Sequence, residues 1–265
     1  MIKFFRHIRQ SLLTENPPNG RAGKFGNYLL YATGEIILVV IGILIALQIN
    51  NWNEKEKLKT EEVRYLKNFK QSLISDLEFN RVRADRYQLT KESISILLHH
   101  LEQNLPYQDS LKYHFGRITQ TWAPKINMEV FEALKSNDLN LISNDSLRNK
   151  LISYYSWSGS ILKDDIKGYV DLIEEASSTI FNTRFNAIWN GNYKRYSATE
   201  NWEDLELEMI PNDYNALKQD QEFLYFLRSL KNHFYWKIEV NQKKINEQAI
   251  DLIKNINAEL KTMKK

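Results

Sequence analysis

The chain has 265 residues, enough for one large domain or two small ones, and an apolar content of 43% excludes a generally disordered protein. The formal net charge is +3, but residues 1–27 hold five basic residues and one acid, so the rest of the chain sums to −1. This distribution excludes the broad basic face of a nucleic-acid-binding protein, and the lack of cysteine excludes disulfides, thiolate metal sites and a cysteine nucleophile.

The first predicted segment is a basic N-terminal tail, residues 1–27. Residues 2–13 have the pattern of a short amphipathic helix, and the prolines and glycines between residues 16 and 27 predict a hinge after it. The excess of positive charge predicts that the tail faces anionic lipid or stays inside the cell. The charged residues of the tail are Lys3, Arg6, Arg9, Glu15, Arg21 and Lys24.

An apolar block follows the tail, with the sequence GEIILVVIGILIALQINNWNE from Gly34. Its apolar core, residues 36–47, is by itself too short to span a bilayer. Flanking aromatic residues extend it: Tyr28 and Tyr31 precede the block and Trp52 ends it, and a helix from Tyr31 to Trp52 is about 31 Å long, close to the hydrocarbon thickness. We therefore predict a transmembrane helix over residues 28–52, with these aromatics as interface anchors. A cleaved signal peptide is the alternative, but the block is too long and lacks the small residues that a peptidase requires.

Four residues within the predicted span are candidate functional positions. Glu35 lies one turn inside Tyr31, where its carboxylate either reaches the headgroup layer or serves as a buried partner of another chain or a proton carrier. Gln48 can form a hydrogen bond between helices, and Gly42 and Ala46 have the spacing that lets two helices approach closely. The predicted partners of this segment are therefore the lipid bilayer and a second copy of the chain.

The charges on either side of the span predict its orientation. The tail carries an excess of basic residues, whereas the basic residues that follow the span are interspersed with acids. Because positively charged flanks stay in the cytoplasm, we expect a cytoplasmic N-terminus and a C-terminal domain outside, in the periplasm if the cell is Gram-negative.

A long helix is predicted after the span, because neither glycine nor proline occurs from residue 43 to residue 105. Apolar residues advance by threes and fours, as in a coiled coil. Over residues 53–104 this helix would be about 78 Å long, which predicts a stalk, and its Asn80 either fixes the register or is exposed to water. The stripe consists of Leu66, Phe69, Leu73, Leu77, Asn80, Ala84, Tyr87, Lys91, Ile94, Leu98, Leu101 and Leu105.

Beyond Pro106 the sequence predicts more helices and no persuasive strand. Capping residues and apolar periodicity place them near residues 110–121, 127–136, 144–157, 160–189 and 219–263. The two longest helices of the domain should pack antiparallel, which would bring Lys261, Lys264 and Lys265 back toward the membrane. The predicted fold class is therefore all-α: a single transmembrane helix that continues into a long stalk helix, and an elongated antiparallel helical bundle within residues 53–265.

Two stretches carry a resemblance to a known family. The apolar block, preceded by IKFFRHIRQSLL and GNYLLYATGE, resembles the N-terminal signature of a family of uncharacterised single-pass membrane proteins common in Bacteroidota. Residues 131–155, FEALKSNDLNLISNDSLRNKLISYY, are similar to its second shared stretch, with Asn137 where that family often has Ser-Gly. Asn, like Gly, tolerates the left-handed conformation that ends helices. The resemblance implies a protein of the bacterial inner membrane with a helical exterior domain, and it implies no activity.

Two polar segments are candidate partner surfaces. In the turn after the helix near residue 136, Asn140 and Arg148 either are structural or present polar groups to a partner. In WNGNYKRYSATENW, residues 189–202, aromatic and basic residues either form a satellite core or anchor an interface. The candidates in this second segment are Trp189, Tyr193, Arg195, Tyr196 and Trp202.

No catalytic, cofactor-binding or metal-binding motif stands out in the sequence. It contains no zinc-binding His pair, nucleophile elbow or phosphate-binding loop, and His99 and His100 are adjacent, so they point about 100° apart on a helix. We therefore predict a membrane-anchored interaction or scaffold protein of the bacterial envelope, with an unidentified envelope protein as partner. The alternative is an oligomeric membrane component that uses Glu35 and Gln48 for proton coupling or gating, and an enzyme is the less favoured reading.

Overall fold

The computed structural model describes residues 21–120, 124–191 and 207–263, with side chains except at residues 21–31 and 162. The described residues form helices and no strand, which confirms the all-α class. The chain divides into two compact units, one up to Thr60 and one from Glu61 onward. Helix α1 (Arg21–Glu102) contributes to both units. It begins inside residues 16–27, which the prolines and glycines predict to be a hinge.

The second unit contains the rest of α1 and a series of further helices. In chain order the helices are α2 (Leu111–Arg117), α3 (Glu129–Asn137), α4 (Asp145–Ser160), α5 (Lys167–Ala176), α6 (Asn182–Arg184), α7 (Tyr214–Gln219), α8 (Gln221–His233) and α9 (Val240–Thr262). A 3-10 turn, Leu139–Leu141, joins α3 to α4, and π-helical turns connect α4 to α5, α5 to α6 and α8 to α9 without a break. These π turns are Ile161–Ile166, Ser177–Phe181 and Phe234–Glu239.

Two hydrophobic clusters form the core of this unit. The Phe69 cluster joins the residue 65–73 part of α1 to α4 and to α9, and the Phe223 cluster joins the residue 87–101 part of α1 to α5 and to α8. The chain therefore runs from the Phe69 cluster to the Phe223 cluster along α1 and along α4–α6, and it returns along α8–α9. This order confirms that the long helices at the two ends of the domain pack antiparallel.

The stripe on α1 is covered by helices of the same chain, as the predicted antiparallel bundle requires. Leu66, Phe69, Leu73 and Ile94 are buried in the two clusters, so the helix is one wall of a bundle from about Tyr65 onward. The apolar periodicity cannot separate a bundle from a coiled coil, since a bundle helix and a coiled-coil helix both need one apolar face. Ala84 departs from the stripe, because its side chain is exposed.

Helix ends are set by local hydrogen bonds, some of them predicted. The Asn144 side chain caps α4 by accepting a hydrogen bond from the Leu147 amide, as expected. Asn137 ends α3 as expected, but it is not in the left-handed conformation, and the chain continues through extended Asp138. The side-chain amide of Asn137 donates a hydrogen bond to the Tyr65 hydroxyl at 2.7 Å. A left-handed residue does follow a helix at Asn104, with φ of 52°, after the end of α1.

Two predicted helix boundaries need correction. The helix expected over residues 160–189 ends at Arg184, because Phe185 is extended and pairs with Pro211. The helix expected over residues 219–263 begins at Gln221, because Asp220 is extended and its carboxylate caps the Phe223 amide. Both breaks depend on backbone pairing or capping, which hydrophobic periodicity does not detect.

Candidate functional site

The apolar block of α1 is uncovered in the first unit. From Ile36 to Ile49 its large apolar side chains are 46–64% exposed, and its most apolar 18-residue window has a mean hydropathy of 2.3 with no buried residue. Water-soluble surfaces do not normally carry an apolar area of this size. By length and composition, this helix can cross a membrane.

Within the part of the chain that the structure describes, no neighbour accounts for the polar and small residues of the block. Glu35 and Gln48 are exposed, and neither has a hydrogen-bond or ionic partner among the described residues. A Cβ atom added to Gly42 would meet no atom within 4 Å, so nothing in the described chain requires glycine there. Ala46 and Trp52 are exposed as well, while the side chains of Tyr28 and Tyr31 lie outside the description.

The turn that holds Asn140 and Arg148 is built from its own hydrogen bonds. The Asp138 side chain accepts a hydrogen bond from the Asn140 amide at 2.8 Å, and Arg148 donates to the Ile142 carbonyl at 2.9 Å. Arg148 also pairs with Asp145 at 2.6 Å. Its guanidinium therefore closes the turn onto α4, whereas the Asn140 side chain remains exposed.

Trp189 is held in an unusual conformation at the start of the second candidate segment. Its φ angle is 53°, and its indole Nε1 donates to the Thr119 hydroxyl at 2.9 Å, while the side chain is 48% exposed. Thr119 is buried and donates in turn to the Gly116 carbonyl at 2.7 Å. A bulky residue with positive φ costs free energy, so the surrounding contacts must impose this conformation.

A short antiparallel backbone pairing joins Asn190, near the start of this segment, to Glu208, which follows its end. Asn190 and Glu208 exchange backbone hydrogen bonds of 3.2 and 2.6 Å, and the Met209 amide donates to the Lys112 carbonyl at 3.0 Å. Beside Trp189, a cavity of about 120 Å³ is lined by residues including Phe181 and Ile188. The remaining candidates, Tyr193, Arg195, Tyr196 and Trp202, lie outside the described residues.

A group of buried polar residues on α1 has no counterpart in the sequence-based prediction of sites. Asn80 is fully buried, and its side-chain amide bonds the Lys125 backbone twice, donating to the carbonyl at 3.1 Å and accepting from the amide at 2.7 Å. This excludes the exposed alternative for Asn80. Its own carbonyl accepts a hydrogen bond from Gln242 at 3.0 Å, so one residue links α1, the connection before α3 and α9.

Asp76 lies one turn before Asn80 and is 2% exposed. One carboxylate oxygen accepts a hydrogen bond from the Asn127 amide at 2.8 Å, and the other has no partner among the described residues. Burial raises the pKa of Asp76, and the Asn127 hydrogen bond and the charge of Lys125 oppose that rise only in part. Burial also raises the pKa of Tyr154, whose hydroxyl feels the Asp76 charge. No sequence signal marks this site, because Asp76 is one of many charged residues of α1 and its burial depends on helices far away in the chain.

The described residues offer no metal centre. Within them, no three His, Asp or Glu side chains are grouped so that they could hold a metal ion. The ring centroids of His99 and His100 lie 6.2 Å apart, with the ring planes at 85°. The groups that stand out chemically are therefore the exposed apolar block, Trp189 and the buried Asp76.

Together these features define the class: a helical-bundle protein whose N-terminal helix bears an exposed block long enough to cross a membrane. Residues 35–155 are similar to a family of unknown function, DUF6090. The matched region extends from the apolar block through the Asn140 turn into α4, and so includes the apolar block from Glu35 onward and all of residues 131–155. No curated protein matches the chain, and no solved structure matches it.

Proposed function

We propose that the protein is a membrane-anchored interaction protein, in which residues 28–52 span the inner membrane of a bacterial cell. The observation that carries this proposal is the apolar block of α1, which no part of the described chain covers. Burial of such a block in hydrocarbon removes its apolar surface from water, while the helix satisfies its own backbone hydrogen bonds. Residues 1–27 are the cytoplasmic tail, and residues 53–265 are the exterior helical domain.

The proposed partner is another protein of the bacterial envelope, bound through the surface around Trp189. Trp189 supports this assignment because it combines large exposed area with a fixed orientation, and rigid aromatic residues are common interface anchors. Strained backbone that neighbouring contacts impose is also concentrated at functional positions. The sequence places Tyr193, Arg195, Tyr196 and Trp202 in the same segment.

Proximity labelling tests this partner surface. A labelling enzyme fused to the C-terminus should mark a set of envelope proteins in cells, and Trp189→Ala should reduce the labelling of at least one of them by at least about tenfold. The reason is that truncating an aromatic anchor removes ~2 kcal/mol or more of binding free energy. Tyr196→Ala should reduce labelling of the same protein.

Trp236→Ala is the matched control, because Trp236 is 64% exposed but lies on the π turn before α9. It should leave the labelling pattern unchanged. Thermal unfolding followed by circular dichroism separates binding from stability. If Trp189→Ala unfolds the domain, or if both tryptophan variants change labelling alike, Trp189 belongs to the structural core and the partner surface lies elsewhere.

A second candidate function is an oligomeric membrane component that uses Glu35 and Gln48 for proton coupling or gating. The supporting observation is that these polar side chains lie in the apolar block and have no partner among the residues that the structure describes. A helix contact through Gly42 and Ala46 would bring copies together. Glu35→Gln separates the two functions: a scaffold keeps its labelling pattern and its cellular phenotype, whereas a proton-coupled device loses activity.

Crosslinking of Gly42→Leu in membranes should show loss of dimers if this helix face mediates association.

A further inference from the structure

A groove lies between the first and last helices of the bundle, at the Phe69 cluster. It has a volume of about 430 Å³, in the range of small-molecule sites. Val63 of α1 and Leu260 of α9, together with Met263 just beyond α9, are half-buried and supply its apolar part. Three lysines line the same groove: Lys67, Lys70 and Lys261.

The charge of this groove is uncompensated. Within the described ranges, none of its three lysines has an acidic partner within 4.0 Å. Of the acids nearest to the groove in sequence, Glu61 pairs with Arg64, while the Glu62 and Glu259 carboxylates accept hydrogen bonds from Ser143 and Asn144 and make no ion pair with the groove lysines. Some other lysines of the bundle do have an acidic partner, among them Lys91 with Glu239, Lys150 with Asp251 and Lys237 with Asp165.

We propose that this lysine groove binds the headgroup phosphate of an anionic glycerophospholipid. The lysines hold the phosphate, and the glycerol-proximal methylene groups lie on Val63, Leu260 and Met263. The apolar part of the groove favours a lipid over inorganic phosphate, which gains nothing from apolar contact. The inference rests on the proposed membrane span, since Val63 follows Trp52 by only eleven positions in the sequence. Clusters of basic residues beside a span are a known basis of anionic-lipid recognition.

Lipid titration of the full-length protein in neutral detergent micelles tests the groove. Native mass spectrometry measures the bound fraction for phosphatidylglycerol and for phosphatidylcholine with the same acyl chains. Wild type should bind phosphatidylglycerol at least tenfold more tightly. The triple variant Lys67→Gln, Lys70→Gln, Lys261→Gln should lose this preference. The control variant Lys163→Gln, Lys231→Gln, Lys254→Gln removes three exposed lysines outside the groove and should retain it.

Several outcomes would overturn the proposal. Equal binding of the two lipids by wild type would do so, as would an equal loss in both triple variants at unchanged melting temperature. Competition arms distinguish the ligand: inorganic phosphate or a hexaglutamate peptide that displaces phosphatidylglycerol at an equal or lower concentration would reassign the groove to free phosphate or to an acidic peptide. Circular dichroism confirms that each variant is folded.

The proposals for the groove and for the membrane span can be contradicted separately. If wild type stays in alkaline-washed membranes but shows no lipid preference, the groove proposal is wrong and the anchor stands. If wild type is extracted by the wash yet binds phosphatidylglycerol in micelles through the three lysines, the groove is correct and the span is not.

Discussion

At the scale of single residues, Asp76 and Asn80 fix the connection that precedes α3. Asn80 bonds both backbone groups of Lys125, and Asp76 accepts from the amide of Asn127, so two side chains of α1 satisfy three backbone groups of one segment. Buried backbone groups left without partners would each cost ~1–3 kcal/mol. These polar residues therefore specify where the connection lies, although they interrupt an apolar face.

Asp76→Asn should make stability less dependent on pH. Because burial raises the pKa of Asp76 in the folded protein, its contribution to stability is fully present below the unfolded pKa and is lost as pH rises through the folded pKa. An asparagine cannot ionise, and its carbonyl oxygen can still accept from Asn127. The melting temperature of the variant relative to wild type should therefore rise between pH 4 and pH 7.

Paired thermal melts of the two full-length proteins in the same detergent measure this difference, because all other titrating groups cancel in the comparison. An unchanged difference in melting temperature across that pH range would show that burial does not raise the pKa of Asp76.

At the scale of elements, α2 is held against the returning chain by a close backbone approach. A Cβ atom added to Gly116 would lie 1.8 Å from the Leu207 carbonyl oxygen, a backbone atom that cannot rotate away. Next to this contact, the Met209 backbone amide donates a hydrogen bond to the Lys112 carbonyl, which fixes the returning chain against α2. A glycine in a short helix is therefore required here for space, not for its backbone freedom.

Gly116→Ala should destabilise the bundle by about 2 kcal/mol or more, since the overlap forces the two segments apart. Gly168→Ala is the matched control: Gly168 is also helical, but an added Cβ would meet no atom within 4 Å. It should stabilise the protein by ~0.5–1 kcal/mol, as alanine favours helices. Chemical denaturation measures the free energy of unfolding of both variants, and equal changes in the two would mean that the Gly116 contact is not close.

The elements themselves could largely be predicted from the sequence, because capping and periodicity act locally. Asn144 is an example, since its position before an apolar run predicted the cap of α4. An Asn shortly before a Pro often ends a helix in the left-handed conformation, and Asn104, two residues before Pro106, does so. The sequence predicts that conformation at Asn137 instead. The π turns, the strain at Trp189 and the burial of Asp76 were not predictable, because they depend on contacts between residues far apart in the chain.

At the scale of the whole molecule, two kinds of apolar surface coexist in one chain. The stripe of α1 beyond Tyr65 is covered by α4, α5, α8 and α9, whereas the block from Ile36 to Ile49 has no cover in the described chain. Composition and length alone distinguished the two stretches, since only the block combines an unbroken apolar run with aromatic flanks. A helical bundle fully covers its own core, so the uncovered block needs another apolar phase.

The most direct test of this account is extraction of cell membranes at alkaline pH, followed by detection of the full-length protein. We expect wild type, at the mass of the uncleaved chain, to remain in the membrane pellet. The double variant Ile41→Arg, Leu44→Arg should move to the soluble fraction, because each arginine at the centre of a span costs ~2.5–3.5 kcal/mol. Ile74→Arg, Ile250→Arg, which alters similarly exposed apolar residues of the bundle, should stay in the pellet. Recovery of full-length wild type in the soluble fraction would contradict the membrane span and the proposed function with it.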